Sequence, residues 1–308
     1  MRRRRAPGRD APPLVPGASR PELSEADERL YGPFRDAVLG DLGTDFRLGF
    51  KLAYLWSFAS PVVAGALDAT GEIRQRPVRR AKDTSIVVYE ILASGPGSER
   101  AQHMVDLLQR VHRRVPGGPD DHLFVLSTLF VAPVRLVDRA GRRPLTGVER
   151  AAAGRFFGRL ADDLGLEGAP RSQQEAEAFL DRYVASSVAP SPAAARLTAS
   201  TIDALIASVR PALRPVARAV ARTTFAALLD APAASGALGL PRVPRPVRSL
   251  LLGARRALRR RAAPDGVAFT PGEPSRVHPK GYDLADVGPE QHRAGGTAPG
   301  GRASGGRA

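Results

Sequence analysis

The sequence predicts an all-α protein, a single helical domain flanked by disordered ends. Three observations carry this reading. Apolar residues recur at spacings of three and four along most of the chain, which is the period of one helix face. Helix-capping signals precede those stretches. No hairpin signal, no alternation of strand and helix patterns and no internal repeat is found.

Residues 1–22, which begin MRRRRAPGRDAPPLVPGASR, are rich in Arg, Pro and Gly. They carry too little apolar surface to offset the entropy of ordering them, so they are expected to be disordered. No apolar stretch follows the arginine run, which argues against an export signal. The helical body is expected over 23–263. A first helix covers 46–67, bent near Pro61. Its uncharged stretch LAYLWSFASPVVAGAL falls short of the roughly 20 residues that span a bilayer. Residues 84–93 (TSIVVYEILA) suit a strand or a buried helix. Helix is favoured, with Asp83 as N-cap and Gly95 just past the end. Ser98 caps the next helix, which runs to about Val115 and stops at PGGP. Asp120 or Asp121 opens another, HLFVLSTLFVAPVRLVDRAG.

Thr146 with Glu149, and Ser172 with Glu175, have the spacing of capping boxes: the hydroxyl accepts from the N3 amide and the carboxylate reaches back to the cap amide. Three more helices follow near 192–209, 211–229 and 244–261, each with Pro just inside its start. Residues 264–308, ending AGGTAPGGRASGGRA, read as a flexible tail.

Composition narrows the chemistry. The chain has no cysteine, which excludes disulfides, thiolate zinc sites, cysteine-ligated haem and cysteine nucleophiles. Its net charge of +15 is nearly all arginine; Lys51, Lys82 and Lys280 are the only lysines. Such a balance suits an anionic membrane or nucleic acid, and it equally suits a GC-rich coding bias. No paired Glu-x-x-His, as a carboxylate di-iron bundle requires, is present. Gly-x-Ser-x-Gly, GxGxxG and P-loop patterns are absent too.

In SERAQHMVDLLQRVHRRV, Val105, Leu108, His112 and Val115 share one face, so His112 points with the apolar stripe. His103, nine residues back, faces the other way. Periodicity leaves two readings of His112 open: a core histidine with a hydrogen-bond partner, or a metal ligand supplying neutral imidazole. Upstream, Arg80 and Thr84 lie four apart and share a face if the helix begins at or before Arg80. They read as an ordinary helix start, or as a guanidinium and a hydroxyl lining a pocket.

The stretch from Trp56 to Tyr183 resembles the catalytic domain shared by bacterial rubber oxygenase (latex clearing protein) and the fungal ER-bound MpaB oxygenases. The resemblance rests on an ordered set of short pieces. SPVVAGALDATGE precedes Arg80-x-x-Asp83-Thr84, and EILASGPGSER and VHRRV follow. Then come DDHLFVLSTLFVAPVRLVDRAGRRPLTGVER and LGLEGAPRSQQEAEAFLDRY, and near the end HPKGYDLADVGP. The resemblance implies an all-α domain enclosing a haem b pocket. His112 would be the iron ligand, Arg80 and Thr84 would be the catalytic pair near the haem, and Asp83 would lie at the cofactor. It further implies attack by molecular oxygen on double bonds of an apolar, isoprenoid-like substrate. This chain departs from relatives at Asp83, where the rubber enzyme has Lys. It also departs at Ser60 and Leu126, where many bacterial members have histidine. The rubber enzyme's acidic catalytic residue has no clear counterpart in the sequence; Asp68 and Glu72 are candidates for it.

The segment 244–261 carries Arg248, Arg255, Arg256, Arg259, Arg260 and Arg261 beside Leu250, Leu251, Leu252 and Leu258. It reads as a helix on an anionic membrane or as a solvated C-terminal helix. No aromatic residue interleaves with these arginines, which disfavours nucleic acid. The expectation is a cytoplasmic protein, membrane-associated at most peripherally. The rival to an oxygenase is a non-catalytic helical protein that binds haem or a membrane.

Overall fold

A computed structural model describes residues 24–113, 115–229, 231–263 and 269–288. The expected disorder of residues 1–22 lies outside the described residues, as does that of the last twenty. Thirteen α-helices make up the described chain: α1 (Glu25–Leu39), α2 (Gly43–Ser57), α3 (Pro61–Ala69), α4 (Glu72–Gln75), α5 (Pro77–Ser94), α6 (Glu99–His112), α7 (Pro119–Ala140), α8 (Gly147–Asp163), α9 (Gln173–Ser187), α10 (Pro192–Leu205), α11 (Arg214–Leu229), α12 (Pro232–Ala237) and α13 (Arg245–Arg261). The only β pairing among the described residues is an isolated bridge between Pro279 and Gly281.

The central packing is α2 along α7. A Cβ on Gly49 would stand 2.3 Å from Cα of Pro133, so only glycine permits this approach. α1 lies against α8 and α9 against α7. Between these layers Phe34, Phe46, Phe156 and Phe157 are buried; Phe34 and Phe46 meet edge-on at 5.5 Å.

Several boundaries differ from the sequence reading. The expected helix over 46–67 is two helices, α2 and α3, turned by 95° across the break. Ser60 caps the second by accepting from the Val63 amide, and Pro61 occupies its first turn. Among the described residues no single helix is long and apolar enough to cross a membrane; only this bent pair passes by length and composition. Asp83 is not an N-cap: α5 begins two turns earlier, at Pro77, and Asp83 is buried inside it. α6 ends at His112 rather than Val115. The Thr146 box forms in full. At the other, Ser172 accepts from the Glu175 amide, but Glu175 reaches the Arg171 amide instead of the Ser172 amide.

The largest revision concerns residues 269–288, expected to belong to a flexible tail. They are folded onto α5 and α6. Phe269 stacks on Tyr89 with 5.3 Å between ring centroids, and Tyr282 donates to Glu90 at 2.5 Å. Glu90, wholly buried, also holds Arg100 through two hydrogen bonds of 3.0 and 2.8 Å. α13 is tied to the body in a similar way. Arg255 and Arg259 reach Oδ1 of the buried Asp45 at 2.6 and 3.0 Å, while the Arg142 amide donates to its Oδ2 at 2.9 Å.

Candidate active site

α6 opens with Ser98, whose hydroxyl accepts from the Ala101 amide, and carries His112 in its last residue. Its fully buried residues are Ala101, Met104, Val105 and Leu107. His112 sits at the border of that face, half-buried, and His103 is half-buried as well rather than solvent-facing.

His112 lines a cleft of about 630 Å³ together with Gln109, Pro119, His122, Leu164 and Leu166. Gly117, Gly118 and Gly165 form part of the same wall and keep it free of side chains. The imidazole of His122 lies against that of His112, ring centroids 5.1 Å apart and planes 23° from parallel. Burial, the neighbouring His122 and the Arg80 guanidinium together lower the pKa of His112 to about 4. A helix C-terminus favours a protonated histidine; here desolvation and the adjacent groups outweigh it. The ring is therefore neutral at physiological pH, the form that binds a metal ion.

α5 places Arg80 and Thr84 one turn apart, as expected. Their side chains are hydrogen-bonded to each other, and the Thr84 hydroxyl donates to the Arg80 carbonyl at 2.9 Å. The single proton of Thr84 is thus engaged by its own helix, and its oxygen receives the guanidinium. Arg80 also acts electrostatically on Tyr54, whose pKa burial pushes up to about 12. Asp83, between them in sequence, is not brought to the cleft. Its carboxylate is 1% exposed and meets Nε2 of His278 at 3.1 Å, with Arg79 at 3.9 Å. It joins the C-terminal segment to α5. Asp68 and Glu72 lie elsewhere as well: Asp68 pairs with Arg74 and Arg196, and Glu72 with Arg76.

Three features of the site escaped the sequence reading. His122 reads as a polar residue in a helix's first turn, and only the tertiary fold stacks it on His112. The Tyr54 hydroxyl and Nε2 of His122 are buried without a hydrogen-bond partner among the described residues. Ser60, at the N-cap of α3, also meets α9. It lies 2.9 Å from the Tyr183 hydroxyl, which donates to Asp121 at the start of α7. Leu126 is buried in the core.

A family model described as "ER-bound oxygenase mpaB/B'/Rubber oxygenase, catalytic domain" matches residues 37–260. The chain belongs to this family. Among curated relatives of the mpaB/rubber oxygenase family, it is 27% identical over 122 residues to "ER-bound oxygenase mpaB" of Penicillium roqueforti (strain FM164), a match covering 38% of this chain and 41% of the relative. It is 24% identical over 177 residues to "ER-bound oxygenase mpaB'" of Penicillium brevicompactum, covering 50% and 42%. The chain thus spans about two fifths of the length of these relatives. Within the matched family region lie Arg80, Thr84, His112 and His122.

The residues present fit a haem. A single neutral imidazole is the one protein ligand that a haem iron needs. Arg80, though not part of the cleft wall, acts electrostatically on His112 and is a cation that a propionate could meet. Among the described residues no three imidazole or carboxylate groups converge on one point, so an all-protein metal cage is not formed there.

Proposed function

We propose that the chain is a haem b-dependent oxygenase that uses molecular oxygen on an apolar, unsaturated, isoprenoid-like substrate. The observation that carries this reading is the neutral His112 in the wall of a cleft, with Arg80 in electrostatic reach. Membership of an oxygenase family supports the reaction class.

His112 would hold the iron through one ring nitrogen, and Arg80 would face a propionate. Bound haem supplies the redox chemistry that lets oxygen react with a carbon–carbon double bond. The protein's part is to bind, orient and exclude water. His122, stacked on His112, limits rotation of the ligand ring. Thr84 holds the Arg80 guanidinium in one position and is a positioning residue, because its proton already goes to a carbonyl. Leu164, Leu166 and Pro119 offer apolar surface to a hydrocarbon chain. The words "ER-bound" in the relatives' names support a place for this chain at a membrane surface, where such substrates dissolve.

The test is a visible spectrum of the full chain expressed with a haem precursor. A Soret band of near-stoichiometric intensity, lost in His112→Ala, is the expected result. Full haem retention in His112→Ala refutes the ligand assignment, and loss in His122→Ala alone moves the role to the neighbouring ring.

A further inference from the structure

α13 turns Arg255 and Arg259 inward beside Leu252 and leaves an apolar stripe outward, where an ordinary surface helix is polar. Arg255 and Arg259 face the body and meet Asp45. Val247, Leu250, Ala254, Ala257 and Leu258, spaced by three, four, three and one, are all exposed. α11, which packs against α13, shows a second outward stripe of Val216 and Val220, continued by Leu213 just before it. The six Leu and Val side chains of these two stripes are between 43% and 71% exposed. They make up more than half of the large apolar side chains exposed among the described residues. Scattered exposed leucines need no explanation, but aligned rows on two adjoining helices do.

Charge identifies the occupant. Residues 205–261 contain twelve arginines and one acidic residue, Asp230. Arg245, Arg260 and Arg261 on α13, and Arg210 and Arg214 at the head of α11, are exposed beside the stripes. A second copy would set like charge against like. Nucleic acid would need rings to stack bases, and Phe225, the only aromatic residue in this stretch, is packed against the core. An anionic bilayer satisfies both halves: leucine and valine enter the acyl boundary while arginines meet phosphate headgroups.

We infer that α11 and α13 together form a surface that docks the protein on anionic lipid. The inference rests on the membrane reading above and specifies the surface and its chemistry. Neither helix contributes a residue to the cleft, so docking leaves the cofactor site unblocked.

The experiment is co-sedimentation of the full chain with vesicles of equal parts phosphatidylcholine and phosphatidylserine, against phosphatidylcholine alone. Strong binding to the mixed vesicles only, weakened by added salt, is expected. Leu250→Ser with Leu258→Ser should cut partitioning about tenfold or more, since two leucines lose their apolar burial. Val216→Ser with Val220→Ser tests the second helix independently. Unchanged helicity and Soret intensity confirm folding, because all four side chains are exposed. If the wild type binds and both double variants bind equally well, this surface is refuted while the membrane reading stands. If the wild type sediments with neither vesicle, both fall. A concentration-dependent dimer that the leucine changes dissociate, with no vesicle binding, would assign the stripes to a second copy instead.

Discussion

The neutral state of His112 can be tested by titration. A histidine of ordinary pKa is about 97% protonated at pH 5, whereas one with a pKa of about 4 is roughly 9% protonated. The apo protein should therefore show one of its five histidines titrating near pH 4 in ring C–H NMR spectra, assigned by its absence in His112→Gln. The sign follows from proton counts. Between about pH 6.5 and 4 the unfolded chain holds a proton at this residue that the folded chain refuses. Stability is thus unaffected above 6.5, declines as pH falls and has lost its full share below 4. The ring is only partly buried, so water screens the effect and the loss is on the order of 1–3 kcal/mol. Burial is the largest cause. Removing either neighbour, in His122→Phe or Arg80→Leu, should raise the pKa yet leave it below the usual range. A wild-type His112 that titrates between 6 and 7 would refute the burial argument.

Two further outcomes follow from the packing. Asp45→Asn removes the buried carboxylate that the part-buried Arg255 and Arg259 share; urea unfolding should show a loss of about 3–5 kcal/mol, and a change under about 1 kcal/mol would mean that α13 is held by other contacts. Gly49→Ala drives a methyl group into Pro133 and should cost about 1–3 kcal/mol as α2 and α7 separate, measured by the shift in urea midpoint at constant slope; an unshifted midpoint refutes the close approach.

The helices were legible because their signals are local. Ser98, Thr146 and Ser172 sit where hydroxyls cap, and each does so. The same logic failed where a local signal has two uses. Asp83 has the look of a cap but is a buried partner for His278, since the chain returns to α5 nearly two hundred residues later. Gly- and Pro-rich residues 269–288 lack the period that marks packed helices, yet Phe269, His278 and Tyr282 bury themselves singly against α5 without needing one. Arg255 and Arg259 belonged to a basic run that read as facing either a membrane or solvent, and Asp45, two hundred residues earlier, turns them inward.

From the sequence alone came the helical class, the pairing of Arg80 with Thr84 by their four-residue spacing, and His112 pointing with an apolar stripe. These depend on the 3.6-residue period, which any helix imposes on its own sequence. The tertiary structure decided what that period cannot encode. It set His122 against His112, held the ring neutral beside Arg80, opened the cleft along a wall of glycines and turned Leu250 and Leu258 of α13 to the outside. Each depends on which helix packs against which, and that is settled by apolar burial summed over the whole chain rather than by any one segment.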